Sequence, residues 1–227
     1  MDGKDIQRTQ ILNKRKKYYP LYLDISGKSC IVVGGGRIAL RKVKGLLEAD
    51  AKVKVIADDF VSGFESISKL SNLKIIKRRL RKSDLKNAFL LIAATDDKEV
   101  NREIAKIGRE KKILVNVVDS AKDCDFILPA TVRRGNLTIS ISTNGTIPLL
   151  SRKVRESIED LIGSEYTFYA SILSQLRSEI YSDKNLSQKE KMRILEKLSD
   201  GRLLDMIKRK ASKEEIKKFV ESVYPKK

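Results

Sequence analysis

Histidine is absent from all 227 residues of the chain, and cysteine occurs only twice. The missing histidine removes the commonest general acid/base and the commonest metal ligand together. Catalysis would have to rest on carboxylates, Lys, Tyr, Ser/Thr or a cofactor, and no metal site is expected. Cys30 sits in an apolar run and Cys124 in a polar loop, with neither disulfide-framework nor metal-site spacing, so both read as reduced thiols. Long hydrophobic runs are missing too. The longest, such as AFLLIAA at 88–94, fall far short of the ~20 apolar residues a membrane span requires, so no membrane partner is expected. The first twenty residues are basic but hold no apolar core or small-residue cleavage site, which argues against a secretory signal and for a cytoplasmic location. No internal repeat or low-complexity linker interrupts the chain.

Positive charge is abundant. Lys and Arg total 48 against 30 Asp and Glu, a formal net charge of +18. The surplus is spread along the chain rather than gathered in a tail. Such a surface can attract nucleic acid, an anionic membrane or a polyanionic small molecule, and composition alone does not choose among them. A Lys-rich solvated surface is the plain alternative.

From Lys28 to Asp119 short apolar runs alternate with helical patterns. SCIVVG (29–34), AKVKVIA (51–57), LKIIKR (73–78), AFLLIAAT (88–95) and KILVNVVD (112–119) read as buried parallel strands. Helices are expected over Ile38 to Glu48, with Ala39, Val43 and Leu46/Leu47 on one face, over Asp59 to Leu70, and over Lys98 to Lys111, with Val100, Ile104 and Ile107 on one face. This alternation predicts an α/β fold with a Rossmann-like, doubly wound parallel sheet. FILPATVRRGNLTISIST (126–143) then reads as two antiparallel strands around an RRGN turn. From Pro148 onward the chain reads as helical: PLLSRKVRESIEDLIG, YTFYASILSQLRSEI and two Lys/Glu-rich helices. The expected domains are 1–119, 120–147 (a small β segment) and 148–227 (helical).

The stretch SCIVVGGGRIALRKVKGLLEADAKVKVIADD (29–59) carries the strongest chemical signal. A GxGxxA pattern follows a predicted strand, opens a predicted helix, and is succeeded by acidic residues at the end of the next strand. That is the context in which such a pattern binds a dinucleotide. Gly34 allows the tight turn, Gly36 lets the backbone approach a pyrophosphate, and Ala39 keeps the helix close to the sheet. The helix N-terminus offers N–H groups and partial positive charge to the phosphates. Asp58, or its neighbour Asp59, is placed to bond the ribose hydroxyls of NAD and repel the extra phosphate of NADP. The ends of ATDD (94–97) and NVVD (116–119) face the same cofactor. Their plain alternatives are helix capping by Thr95 or Asp96 and an Asx turn at Asp119.

Taken as a set, YYPLYLDISGKSCIVVGGGRIALRK, LLIAATDDKEVNREI, NVVDSAKDCDFILPA and ISISTNGTIPLLSRKVRE resemble, in order and spacing, the precorrin-2 dehydrogenase family, which includes the N-terminal half of sirohaem synthases. The resemblance covers about residues 18 to 163. It implies NAD-dependent oxidation of precorrin-2 to sirohydrochlorin, with iron insertion by some relatives, and a homodimer whose contacts come from the segment after the parallel sheet. It implies Asp119 as the catalytic general base and Gly34, Gly35, Gly36, Arg37, Ile38, Asp58, Asp59, Thr95, Asp96, Asn116 and Val117 as cofactor-lining residues. Where many bacterial sirohaem synthases read Ser-Ser-Gly-Gly-Thr, this chain reads STNGT, which puts Thr143 and Asn144 at the substrate positions.

A polycarboxylate macrocycle also suits the charge, and Arg133, Arg134 and Arg152 flank the strand pair and the following helix as candidate substrate contacts. Two other readings stand beside this one. The glycine loop alone would equally serve a dehydrogenase of another small anion. A nucleotide-sensing DNA-binding regulator would need a helix-turn-helix ahead of the sheet, and only about twenty-eight residues precede it, so no nucleic-acid partner is expected.

Overall fold

The computed structural model describes residues 17–118 and 120–225. The chain divides between Leu128 and Pro129 into two compact units.

The first unit holds strands β1 (Ser29–Val33), β2 (Lys52–Ala57), β3 (Leu73–Lys77), β4 (Leu90–Ala93) and β5 (Leu114–Val117). All pair in parallel, in the order β3-β2-β1-β4-β5. Central β1 is bonded on both sides, with Val32 opposite Val55 on β2 and Ile92 on β4. Progression along the sheet therefore reverses between β3 and β4, which opens a crevice at the carboxyl ends of β1 and β4.

The unbroken apolar character of β1 and β4 follows from burial on both faces, whereas β2 and edge strand β3 admit lysines. Cys30, Val32, Val55 and Ile92 belong to the core under helix α1 (Arg37–Leu47), together with its Ala39, Val43 and Leu46. Ile31, Val33, Leu91 and Val115 alternate onto the opposite face, against Ile104 and Ala105 of helix α2 (Lys98–Glu110). Ile31, Ile56 and Leu91 are completely buried or nearly so, and each such side chain contributes about 1.5–3 kcal/mol through burial.

Two local expectations are corrected. Residues 59–70 do not form a long helix but a 3-10 segment, Ser62–Ile67. Ser66 and Ser68 turn their hydroxyls onto the carbonyls of Gly63 and Glu65, at 2.8 Å each, and such local bonds compete with helix continuation. Phe64 still anchors the segment in the core, edge-on to Phe60. The buried face of α2 also runs through Asn101, Ile104, Ala105 and Gly108, whereas Val100 is 40% exposed.

In the second unit β6 (Ala130–Arg134) and β7 (Leu137–Ile141) pair antiparallel around Gly135-Asn136. Gly135 has φ +58°, the left-handed conformation that glycine adopts readily at the first central position of a two-residue hairpin turn. Helices α3 (Pro148–Leu161), α4 (Glu165–Ser182), α5 (Gln188–Leu198), α6 (Arg202–Lys208) and α7 (Lys213–Val223) follow. The Lys/Glu-rich tail thus forms three helices rather than two. Ser187 and Ser212 start α5 and α7 through reciprocal capping with Glu190 and Glu215. Leu176, Ile180, Leu198 and Tyr224 close a small core among them. Among the described residues no helix is long and apolar enough to cross a membrane.

Candidate active site

The glycine turn between β1 and α1 is built by two steric constraints and one open position. Gly34 has φ +129°, and a Cβ there would lie 2.1 Å from the Ala94 carbonyl oxygen. At Gly35 a Cβ would lie 1.7 Å from the carbonyl oxygen of Asp59. These two residues let the turn pass between the ends of β4 and β2. Gly36 is different: its φ of −79° suits any residue, and no heavy atom lies within 4 Å of where its Cβ would stand. It caps α1 with backbone alone, and no acidic side chain occupies that helix's first turn. Open space therefore meets the N–H groups and positive end of a helix, the arrangement that receives a pyrophosphate.

That space is a cleft of about 330 Å³, lined on one wall by Gly36, Arg37 and Ile38 and on the other by Ala94, Thr95, Asp96, Lys98 and Asn101, with Val118 beyond. The second wall is locked by Asn101, which is buried. Its Oδ1 accepts from the Thr95 amide (3.1 Å) and hydroxyl (2.8 Å), and its Nδ2 donates to the Thr95 carbonyl (2.9 Å). The N-cap of α2 is Asp97, whose Oδ1 accepts from the amides of Glu99 and Val100, so capping falls neither to Thr95 nor to Asp96.

Of the residues expected at the cofactor, Gly36, Arg37, Ile38, Thr95 and Asp96 meet in this cleft. Gly34 and Gly35 shape the turn behind it. Asp58 and Asp59 stand exposed after β2, where Arg79 Nε lies 3.4 Å from Asp58 and Lys77 Nζ 3.2 Å from Asp59. The hydrogen bond from Lys77 holds the Asp59 carboxyl below its ordinary pKa. Asn116 is buried on β5 and donates to the Phe126 carbonyl (2.9 Å). Val117 lines a smaller neighbouring cleft. Asp119 lies outside the described residues.

The loop after β5 is tied down at several points. The Val115 amide donates to Asp125 (3.0 Å), Arg109 donates to the Asp123 carbonyl (2.6 Å), and the buried Cys124 sulfur lies 3.2 Å from the Val117 amide. Burial also raises the Tyr18 pKa, and its hydroxyl donates to the Ala121 carbonyl (3.3 Å). Burial pushes Cys30 up to about 11. Both cysteines are buried thiols.

Within the second unit, Arg133 and Arg152 are exposed, the latter 3.8 Å from Glu156. Arg134 donates from Nε to the Ile162 carbonyl (2.8 Å) and from Nη2 to the Glu159 carbonyl (3.3 Å), binding the end of α3. Thr143 Oγ1 accepts from the Ile147 amide (3.1 Å), and Asn144 has φ +53° in the turn before α3.

Asn101 and Lys98 were not singled out as site residues from the sequence. For Asn101 a signal existed: a polar residue three and four positions before Ile104 and Ala105 falls on the buried face of α2, where only a bonded amide is tolerated.

The switch-point crevice, glycine turn and open helix end define an NAD(P)-binding α/β protein. In agreement, residues 21–130 match the family model described as "Putative NAD(P)-binding", and residues 134–161 match "Sirohaem biosynthesis protein central". The solved structure of SirC, precorrin-2 dehydrogenase, is similar over 91% of this chain and 98% of its own, with 30% identity and a TM-score of 0.76. The siroheme synthase of Actinobacillus succinogenes is 31% identical over 210 residues, covering 91% of this chain and 44% of the relative. That of Psychromonas ingrahamii is 39% identical over 163 residues, covering 72% of this chain and 34% of the relative. The chain thus spans less than half the length of these curated relatives. It belongs to the precorrin-2 dehydrogenase family, that of SirC and the N-terminal region of sirohaem synthases.

Proposed function

We propose that this chain oxidises precorrin-2 to sirohydrochlorin with NAD as the electron acceptor. The observation that carries the proposal is the likeness to SirC, a precorrin-2 dehydrogenase, over nearly its whole length. The open cleft at Gly36 supports it, because no protein atom blocks the approach of a pyrophosphate to the backbone there. When bound, NAD supplies the hydride acceptor. Gly36, Arg37 and Ile38 hold its phosphates through the start of α1, and Thr95 and Asp96 line the facing wall. Asp58 selects NAD over NADP by bonding the ribose hydroxyls. Its ion pair with Arg79 is exposed, and such pairs contribute only ~0–1 kcal/mol, so the carboxylate can turn to the ribose at little cost.

Loss of a hydride from the macrocycle must be balanced by loss of a proton. Asp119 takes that proton as general base; it directly follows Val118, which lines both clefts. Arg133 and Arg152, both exposed, are the cations proposed for the substrate's carboxylates.

The functional molecule in this reading is a homodimer. Ile147, at the cap of α3, and Leu150, Val154 and Leu161 within it recur at helical spacing and are 53%, 47%, 36% and 74% exposed, a stripe suited to burial against a second copy.

The test is anaerobic incubation of the purified chain with precorrin-2 and NAD. NADH and the sirohydrochlorin spectrum should rise together in equal amounts. Absence of both, with NAD shown to bind, would refute the proposed activity.

A further inference from the structure

A second cleft, about 150 Å³, adjoins the first and shares Lys98, Asn101 and Val118 with it. Its remaining walls are Arg102, Val117, Ser120 and Lys122. No residue of the glycine turn or of α1 lines it, and the locked Asn101 borders both spaces.

Three cations from two different elements surround it. Lys98 and Arg102 stand four apart, on one face at the start of α2. Lys122 comes from the 3-10 turn Ala121–Asp123, which Arg109 and the amide of Val115 fix in place through Asp123 and Asp125. Among the described residues nearby, Glu99 pairs with Arg102, Asp97 caps α2, and Asp123 accepts from the Ser120 hydroxyl. At about 150 Å³ the cleft has room for a short side arm.

We propose that this second cleft is a substrate subsite that takes one carboxylate arm of the tetrapyrrole, with Arg102 and Lys122 as its charge-bearing walls. The proposal rests on the polycarboxylate substrate proposed above. It adds two cations that the family motifs did not single out. Val117, Val118 and Ser120 also line the cleft, so an arm seated there is held beside the chain neighbours of Asp119. A charge-assisted contact at this point positions the macrocycle and fixes which edge faces the cofactor.

The test uses the full chain and the stable product, sirohydrochlorin, which carries the same arms as the substrate. Arg102→Gln and Lys122→Gln should each weaken sirohydrochlorin binding, followed by its absorbance, by about tenfold, as expected for loss of a hydrogen bond to a charged group. NAD affinity by calorimetry and the thermal midpoint should stay near the wild-type values. Arg102→Lys, which keeps the charge, should recover most of the affinity. Unchanged sirohydrochlorin binding in both Gln variants would overturn the subsite alone, as would NAD affinity falling in step with it, which would assign the cleft to the cofactor. A wild-type chain that binds NAD but not sirohydrochlorin would overturn the proposed substrate, and this subsite with it.

Discussion

Adding a single methyl group at two adjacent glycines should separate fold from function. Gly36→Ala introduces a Cβ with no protein atom within 4 Å, at a φ of −79° open to every residue. Two small effects on stability then oppose each other. Fewer unfolded conformations favour the variant by ~0.4–1 kcal/mol, and the loss of glycine from an N-cap disfavours it by a similar amount. The net change should stay within about 1 kcal/mol in urea unfolding. The methyl does, however, enter the space assigned to the pyrophosphate, where overpacking costs ~1–3 kcal/mol. NAD binding by calorimetry should weaken ~5- to 150-fold. Gly35→Ala should do the reverse in order of severity. Its Cβ would stand 1.7 Å from the Asp59 carbonyl oxygen and 2.8 Å from the carbonyl carbon, so backbone must move. A loss of ~3 kcal/mol or more is expected, a large part of the ~5–15 kcal/mol that holds a domain together. NAD affinity of Gly36→Ala within twofold of wild type, or wild-type stability of Gly35→Ala, would refute this account of the turn.

Three further outcomes follow from the same structure. The bidentate bonds from Arg78 (2.7 and 2.8 Å) hold the buried Asp84 at a pKa of about 2, below its ordinary 3.8. Because the folded-state value is depressed, the pair contributes fully above pH ~4 and its contribution of about 2 kcal/mol fades as pH falls toward 2. Asp84→Asn should therefore be destabilised at neutral pH, with the gap to wild type closing between pH 4 and 2 in urea titrations; a gap independent of pH would contradict the assignment. Asp58→Ala should narrow the preference for NAD over NADP by about tenfold or more, the scale of a lost charged hydrogen bond, as read from kcat/KM with each cofactor; equal use of both cofactors by the wild type would count against the placement. Leu150→Asp, which puts charge into the exposed stripe of α3, should convert the dimer to monomer in sedimentation, and a wild-type monomer would remove the dimer reading.

The parallel sheet was legible because its central strands are buried on both faces, which leaves an uninterrupted apolar run such as CIVV in β1 or LLIA in β4. The glycine turn was legible because steric constraint leaves few residue choices: Gly34 and Gly35 sit against backbone carbonyls. Residues 59–70 misled because the apolar spacing of Phe60, Phe64 and Ile67 suits a helix, while the competing serine bonds depend on local geometry. Roles of single polar residues were harder to read. Thr95 and Asp96 were the caps considered for α2, but the cap is Asp97, whose carboxylate accepts from the Glu99 and Val100 amides. The second cleft was invisible for a different reason: Lys98, Arg102 and Lys122 are three among 48 basic residues, and only folding brings them around one cavity.

The most direct test of the central claim is the rate of NADH formation from precorrin-2 and NAD by wild type and by Asp119→Asn. The wild type should produce NADH, and the variant, which keeps the shape of the side chain but not its basicity, should lose ~10²-fold or more in turnover while still binding NAD. An Asx turn at that position would survive the change, because Asn makes the same turn. Near-wild-type NADH production by Asp119→Asn would contradict the mechanism, and no NADH from the wild type would contradict the function itself.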